Sequence, residues 1–473
     1  MRSVRPKPGP PAGRSSTRGP GREVSPILEA IQPARQEAAR HYGVHPYFTR
    51  RPANVVRAYI ERYSRLGETV LDPFGGSGVT AIEALLCGRH ALHNDLNPFA
   101  NFLTSTIGDT RLASTEPLKE AFLRVEARVR QALREIETST EEAAERRIAS
   151  TALPANIRLP RTSDAEHYYD LFTARQLVGL AVLKDAIGVE DDERVRNPLL
   201  LAWSASLAKL NRTFLSAHGR RESRGGSSIF SIYRYKIAKQ PVELPIWETF
   251  RGRFLNVVDA KEEVFRIREA ARRSAAGAFS VDSDTHLKVL SADASSLVGE
   301  LGRGSVDYIF TDPPYGGHIA YLDLSILWNH WLGFAVSDDS RMSEAIVGGE
   351  ARLSKDHYSR KLASSISTCV ELLKPGGWIS VVFQHWDVGY FRTILESATG
   401  SGAQLRAAVV QEQDVIWSMH KKKNAQSVLT GEFILTFRKD ARRTSGRKSR
   451  TPDAAAPLAF CELLDGVLIE NFG

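Results

Sequence analysis

Three cysteines, Cys87, Cys369 and Cys461, are all that the 473 residues contain, and they stand far apart with no CxxC pair. This argues against both a disulfide framework and a zinc site. Long apolar runs are missing too: the richest stretch, 199–210, is broken by Ser and Lys and is too short to span a bilayer. The first residues carry arginines but no apolar segment, so neither a secretory leader nor a membrane anchor is expected, and the reading is a cytoplasmic protein. His318, His330 and His385 lack metal-ligand spacing and read as hydrogen-bonded structural histidines, with no metal expected.

The formal charge is +8, but it is unevenly spread. Residues 1–24 contribute +5 and residues 438–450 contribute +6, which leaves the body slightly acidic, at about −3. Within that body, residues 209–240 hold eight Arg or Lys against the single acid Glu222. A basic surface confined to one internal segment points to a polyanion contacted there rather than over the whole molecule.

Residues 1–24 read as a disordered basic arm, 440–456 as a basic linker, and 457–473 as a short docking segment. Between the tails, strand-type segments at 68–72, 91–95, 286–290, 306–310, 378–383, 407–410 and 432–437 are mostly separated by helical patterns. Helices are predicted at 79–86, 116–137, 166–187, 194–209 and 247–273, and 229–237 alternates like a small strand pair. The simplest architecture is α/β: a doubly wound, mostly parallel sheet split into a half at 40–111 and a half at 281–439, with a mainly helical insertion at 112–280.

Two constellations carry chemistry. The first is Asp72-Pro73-Phe74-Gly75-Gly76-Ser77-Gly78 at a strand-to-helix turn, where glycines let the backbone approach a ligand closely. Neither GxGxxG nor a P-loop Lys is present, and an acid beside the glycines suits a ligand with an ammonium group. Asp95 ends the next strand, where an acid accepts from ribose hydroxyls, and Asp293 follows a later one; both positions also suit a helix N-cap. The second is Asp312-Pro313-Pro314-Tyr315 at the end of a buried-type strand. Two prolines make a rigid, acceptor-rich edge, with a carboxylate before it and an aromatic ring after it. An amino group conjugated to a base ring is a poor nucleophile, and acceptors that orient its N–H bonds and face the positive charge developing on nitrogen would assist its attack.

Together these motifs resemble the DNA N6-adenine and N4-cytosine methyltransferases, which pair a DPFxGSG loop with a [DNS]PP[YFW] tetrapeptide on a seven-stranded sheet. The segment His45-Pro46-Tyr47-Phe48-Thr49-Arg50-Arg51-Pro52, the turn Leu373-Lys374-Pro375-Gly376-Gly377-Trp378 and the closing strand 431–439 fit the same resemblance. It covers about 40–110 and 286–440. It implies S-adenosyl-L-methionine as cofactor, with Asp72, Phe74, Gly76 and Gly78 at its methionine end, Asp95 at its ribose, Asp293 at its adenine, and Phe48 and Thr49 at its edge. It also implies that Asp312, Pro313, Pro314 and Tyr315 hold a flipped base, with adenine N6 favoured by the leading Asp. Cytosine N4 in DNA and guanine N2 in tRNA are the alternatives. Gly75 and Val79 depart from the pattern, where a larger residue and Thr are usual.

The glycine loop precedes the tetrapeptide by more than 200 residues, and family members with that order read DNA with the region between. Here that region is the insertion, whose Arg220, Arg221, Arg224, Arg234, Tyr235 and Lys236 are candidates for DNA phosphates, with Tyr233 and Tyr235 interleaved among the basic residues. No nuclease or helicase motif is visible, so a restriction or defence partner would be a separate polypeptide.

Overall fold

A computed structural model describes residues 24–34, 40–215, 226–275, 286–317, 319–412 and 431–441. His318, Arg220, Arg221, Arg224 and nearly all of the two tails lie outside these residues. Seven strands form one sheet: β1 Thr69–Asp72, β2 His90–Asn94, β3 Leu287–Leu290, β4 Val306–Thr311, β5 Leu373–Phe383, β6 Ala403–Glu412 and β7 Gly431–Lys439. Their order across the sheet is β3-β2-β1-β4-β5-β7-β6. Pairing is parallel from β3 to β5, whereas β7 runs antiparallel to both its neighbours. This is the doubly wound, mostly parallel seven-stranded sheet that a resemblance to the class I S-adenosylmethionine-dependent methyltransferases implies.

Alternation along each strand divides the core. Val70, Tyr308, Phe310, Trp378, Val382 and Ile434 face one apolar cluster, and Leu71, Ile309, Ile379, Val381 and Leu435 face the other. A period of two in a sheet covered on both sides produces this division. The first cluster also contains Trp203, Trp247, Phe250 and Phe254 of the insertion helices, so the insertion shares the core of the sheet face it covers. Its cost is visible in the helix Val79–Leu86, buried at every residue between sheet and insertion. There the buried Glu83 is matched by Arg57 at 2.6 Å and the Tyr42 hydroxyl at 2.5 Å.

Most elements fall near their expected places, with three differences. Residues 166–187 break into a 3-10 turn, Tyr168–Leu171, and a helix, Ala174–Gly188. The break comes at Thr173, whose side chain accepts from the Gln176 amide while Gln176 reaches back in a reciprocal cap. Residues 229–237 are not a strand pair: a short helix, Ser228–Ser231, follows a two-residue ribbon between Phe214–Leu215 and Gly226–Ser227. Strands β5 and β6 are longer than their apolar cores suggested, because β5 pairs with β4 from Leu373 onward and the edge strand β6 pairs along the whole of β7.

The order reverses between β1 and β4, which lie side by side with Val70 opposite Tyr308 and Leu71 opposite Ile309. Chain connections leave in opposite directions there, opening a crevice at the carboxyl ends of the strands. Asp72 ends β1, and Asp312 directly follows β4.

Candidate active site

The turn after β1 is shaped by glycine at positions no other residue tolerates well. Gly76 and Gly78 have φ of +51° and +83°. A Cβ on Gly78 would lie 2.2 Å from Thr104 Oγ1, and one on Gly75 would lie 2.1 Å from the His93 ring. The second contact accounts for the departure at Gly75, since the buried His93 fills the space a side chain would need. Burial also drives the His93 pKa down to about 3, so the ring packs there neutral.

A cleft lies over this turn. Thr49, Asp72, Phe74, Gly76, Asp95, Asp293, Asp312 and Pro314 line it, as do Tyr47, Arg51, Tyr321 and Glu344. Phe48, Gly78, Pro313 and Tyr315 are not among its lining residues. Phe48 packs among Tyr47, Phe230, Tyr321 and Trp328. Tyr315 meets the Phe383 ring edge-on at 5.3 Å.

Asp95 ties the loop together. Its Oδ2 accepts from the Gly76 amide at 2.8 Å and its Oδ1 from the Asn97 amide at 2.8 Å. The helix-capping role open to Asp95 in the sequence belongs to Asn97, whose side chain accepts from Phe99 N ahead of Pro98–Gly108. Asp293 has both oxygens engaged: Oδ1 with Ser295 N at 2.9 Å and Ser295 Oγ at 2.8 Å, Oδ2 with Lys361. It caps a short 3-10 turn while lining the cleft.

Several cleft carboxyls are held in unusual states. Burial, aided by the nearby charges of Asp312 and Asp95, pushes Asp72 up to about 7, against hydrogen bonds from Thr80 and the Phe74 amide. Burial raises Asp95 to about 6 and Glu344 to about 8. Desolvated carboxyls crowded round one cavity favour a cationic occupant, because a positive charge among them restores the ionised forms. A sulfonium beside an ammonium fits this donor set, and the left-handed glycine turn leaves room for close backbone approach.

Glu344 and Arg51 carried no separate signal in the sequence. Glu344 is brought to the cleft by the chain beyond the tetrapeptide, and its Oε1 accepts from the Leu322 amide at 3.1 Å. Arg51 lies within the 45–52 segment and forks onto Asp312, Nε to Oδ2 at 2.5 Å and Nη2 to Oδ1 at 2.9 Å. The Tyr358 hydroxyl donates to the Pro314 carbonyl at 2.6 Å and so pins the tetrapeptide backbone.

In the basic stretch, Arg234 and Lys236 are exposed and Arg234 pairs with Asp164. Tyr235 is not placed to contact a phosphate. It is 1% exposed, and its hydroxyl donates to Leu324 O at 2.7 Å and accepts from Leu327 N at 3.0 Å, locking the insertion to the segment after the tetrapeptide. His330 bonds Ala155 O, His385 Nδ1 accepts from Asp387 N, and Trp328 and Trp331 are core residues, all as expected.

Comparison with known proteins follows the same lines. Residues 12–108 match the DNA methylase family of N6 and N4 enzymes. The type II methyltransferase M.MjaII of Methanocaldococcus jannaschii is 30% identical over 67 residues, 14% of this chain and 13% of that protein. The type II methyltransferase M.MvaI of Kocuria varians is 21% identical over 292 residues, covering 59% of this chain and 54% of that one. Among solved structures, TrmN from Thermus thermophilus is similar over 85% of this chain and 53% of its own, at 13% identity and a TM-score of 0.31. These matches support the resemblance to the DNA amino-methyltransferases. The chain spans about half the length of the longer-matching curated relative and a small part of the other. Its cofactor is S-adenosyl-L-methionine, which the acidic, glycine-floored cleft fits.

Proposed function

We propose that this protein methylates an exocyclic amino group of a DNA base, with adenine N6 as the target. One observation carries the reading: Asp312 directly follows β4, beside Asp72 at the end of β1, and both line the cleft that Gly76 and Asp95 floor. The cofactor, when bound, supplies an electrophilic methyl group on a sulfonium. Asp312 and the Pro313 carbonyl accept the two N–H bonds of the target, orient its nitrogen, and face the positive charge that develops there. Tyr315 stacks on the base, and Tyr358 keeps the Pro-Pro edge rigid through the Pro314 carbonyl.

An amino group inside a duplex cannot reach such a cleft, so the target nucleotide is turned out of the helix. The insertion at 112–280 reads the DNA, with Arg220, Arg221, Arg224, Arg234 and Lys236 on phosphates. The leading Asp of the tetrapeptide and the family resemblance support adenine over cytosine.

The test is methyl incorporation from labelled cofactor into unmethylated duplex DNA and into unmodified tRNA, followed by single-molecule sequencing of the DNA product. Modification at adenine N6 within a fixed sequence is expected. Labelling of tRNA alone would overturn the reading, and labelling of cytosine N4 would overturn the choice of base.

A further inference from the structure

The guanidinium of Arg51 sits where the target amine is needed. Its fork presents two N–H bonds to the two oxygens of Asp312. Its Nη2 also donates to the Tyr315 hydroxyl, and its carbon lies 5.6 Å from the centre of the Tyr315 ring. A planar group donating to Asp312 beside the Tyr315 ring makes the contacts the proposed reaction asks of a base amino group.

We propose that Arg51 is a resident stand-in for the target amine, and that a base reaches Asp312 only by displacing it. The inference rests on the reading of Asp312 given above. Charge supplies the reason that both cannot stay. As nitrogen attacks a sulfonium methyl, positive charge grows on the nitrogen that Asp312 faces, and a guanidinium forked onto the same carboxylate cancels the field that should stabilise it. Glu432 provides the alternative berth. It is buried, it is the second residue of β7, and it already pairs with the same guanidinium through Nη1. Displacement is therefore a transfer of Arg51 from two carboxylates to one, without stranding a buried cation.

The arrangement makes Asp312 selective as well as reactive. A base edge bearing an amino group replaces the lost N–H donors, whereas one bearing a carbonyl brings only an acceptor and leaves Arg51 in place. Arg51 thus acts through Asp312 as a positioning residue that sets which edge is admitted.

The test separates apparent substrate affinity from turnover. With Arg51 paired in most molecules, apparent DNA affinity is reduced by the small fraction in which Asp312 is free, so Arg51→Ala should lower KM for unmethylated duplex DNA by about tenfold without a parallel fall in kcat. Arg51→Lys, which cannot fork, should shift KM the same way by less, and it carries the test if Arg51→Ala does not fold. Glu432→Gln removes the alternative berth and should raise KM. A second readout is a duplex with 2-aminopurine at the position shown by sequencing to be methylated, whose fluorescence on capture should saturate at lower Arg51→Ala concentration than wild type. Unchanged KM and unchanged capture with a collapsed kcat would overturn the inference, making Arg51 a fixed support for Asp312. If wild type methylates no DNA, the reading of Asp312 itself has failed, which is a different outcome.

Discussion

The Gly76 amide donates to Oδ2 of Asp95 at 2.8 Å, so the residue after the second strand holds the loop that follows the first. Both ends of the proposed cofactor site therefore depend on one carboxylate. Asp95→Ala should weaken S-adenosylmethionine binding by about 10- to 100-fold, the range for losing a charge-assisted hydrogen bond together with its ligand contact. Calorimetric titration measures this directly, and an unaltered dissociation constant would remove Asp95 from the site.

Replacing Asp312 should separate binding from chemistry. Asp312→Ala is expected to lower methyl transfer by about 100- to 1,000-fold, comparable to removing one group that stabilises transition-state charge. Cofactor affinity should stay within about threefold, since Asp72, Asp95 and the glycine turn remain. Retained transfer by this variant contradicts the proposed role of the tetrapeptide.

The turn itself is testable through Gly78. Alanine there adds a Cβ at φ +83°, 2.2 Å from Thr104 Oγ1. Strain and overlap together should cost about 2–4 kcal/mol of folding stability, read by denaturant unfolding. Gly78→Ala combined with Thr104→Ala should recover part of the loss, leaving the backbone strain. No recovery would mean that the close approach to Thr104 is not what limits the site.

Cofactor affinity should also depend on pH. Burial places Asp72 near 7 and Asp95 near 6 in the folded protein, both above the ordinary carboxylate value of 3.8. Between that value and these, the folded chain holds more protons than the unfolded one, so these groups contribute less stability as pH rises through the window. A cationic ligand reverses the trend by favouring the ionised forms. The melting-temperature increase produced by S-adenosylmethionine should therefore grow from about pH 5.5 to about pH 7.5. The neutral thioether product should show a shallower rise, and identical flat responses for both ligands would refute the acidic-cleft account.

Much of this site is legible in local sequence. The glycine turn, the strand-end acids and Asp312-Pro313-Pro314-Tyr315 are local features: positive φ demands glycine, proline removes donors, and a strand followed by a helix shows in the spacing of apolar residues. The strand and helix types largely follow from the same periodicities. The misplaced elements at 166–187 and 229–237 are those where a reciprocal cap or a two-residue ribbon overrides a weak pattern.

What only the tertiary structure decided lies between segments distant in the chain. Arg51 meets Asp312 across 261 residues, and Tyr235 meets Leu324 across 89, so neither pairing leaves a trace in local spacing. Tyr235 reads in sequence as an exposed aromatic among basic residues and is instead a buried clasp. The sequence alone determined which chemical groups the chain possesses and which local turns present them, because backbone sterics act over a few residues. Which of those groups face one another, and the charge states they hold there, followed from the β1–β4 reversal and the burial it creates, because desolvation and Coulomb interactions depend on distance in space rather than along the chain.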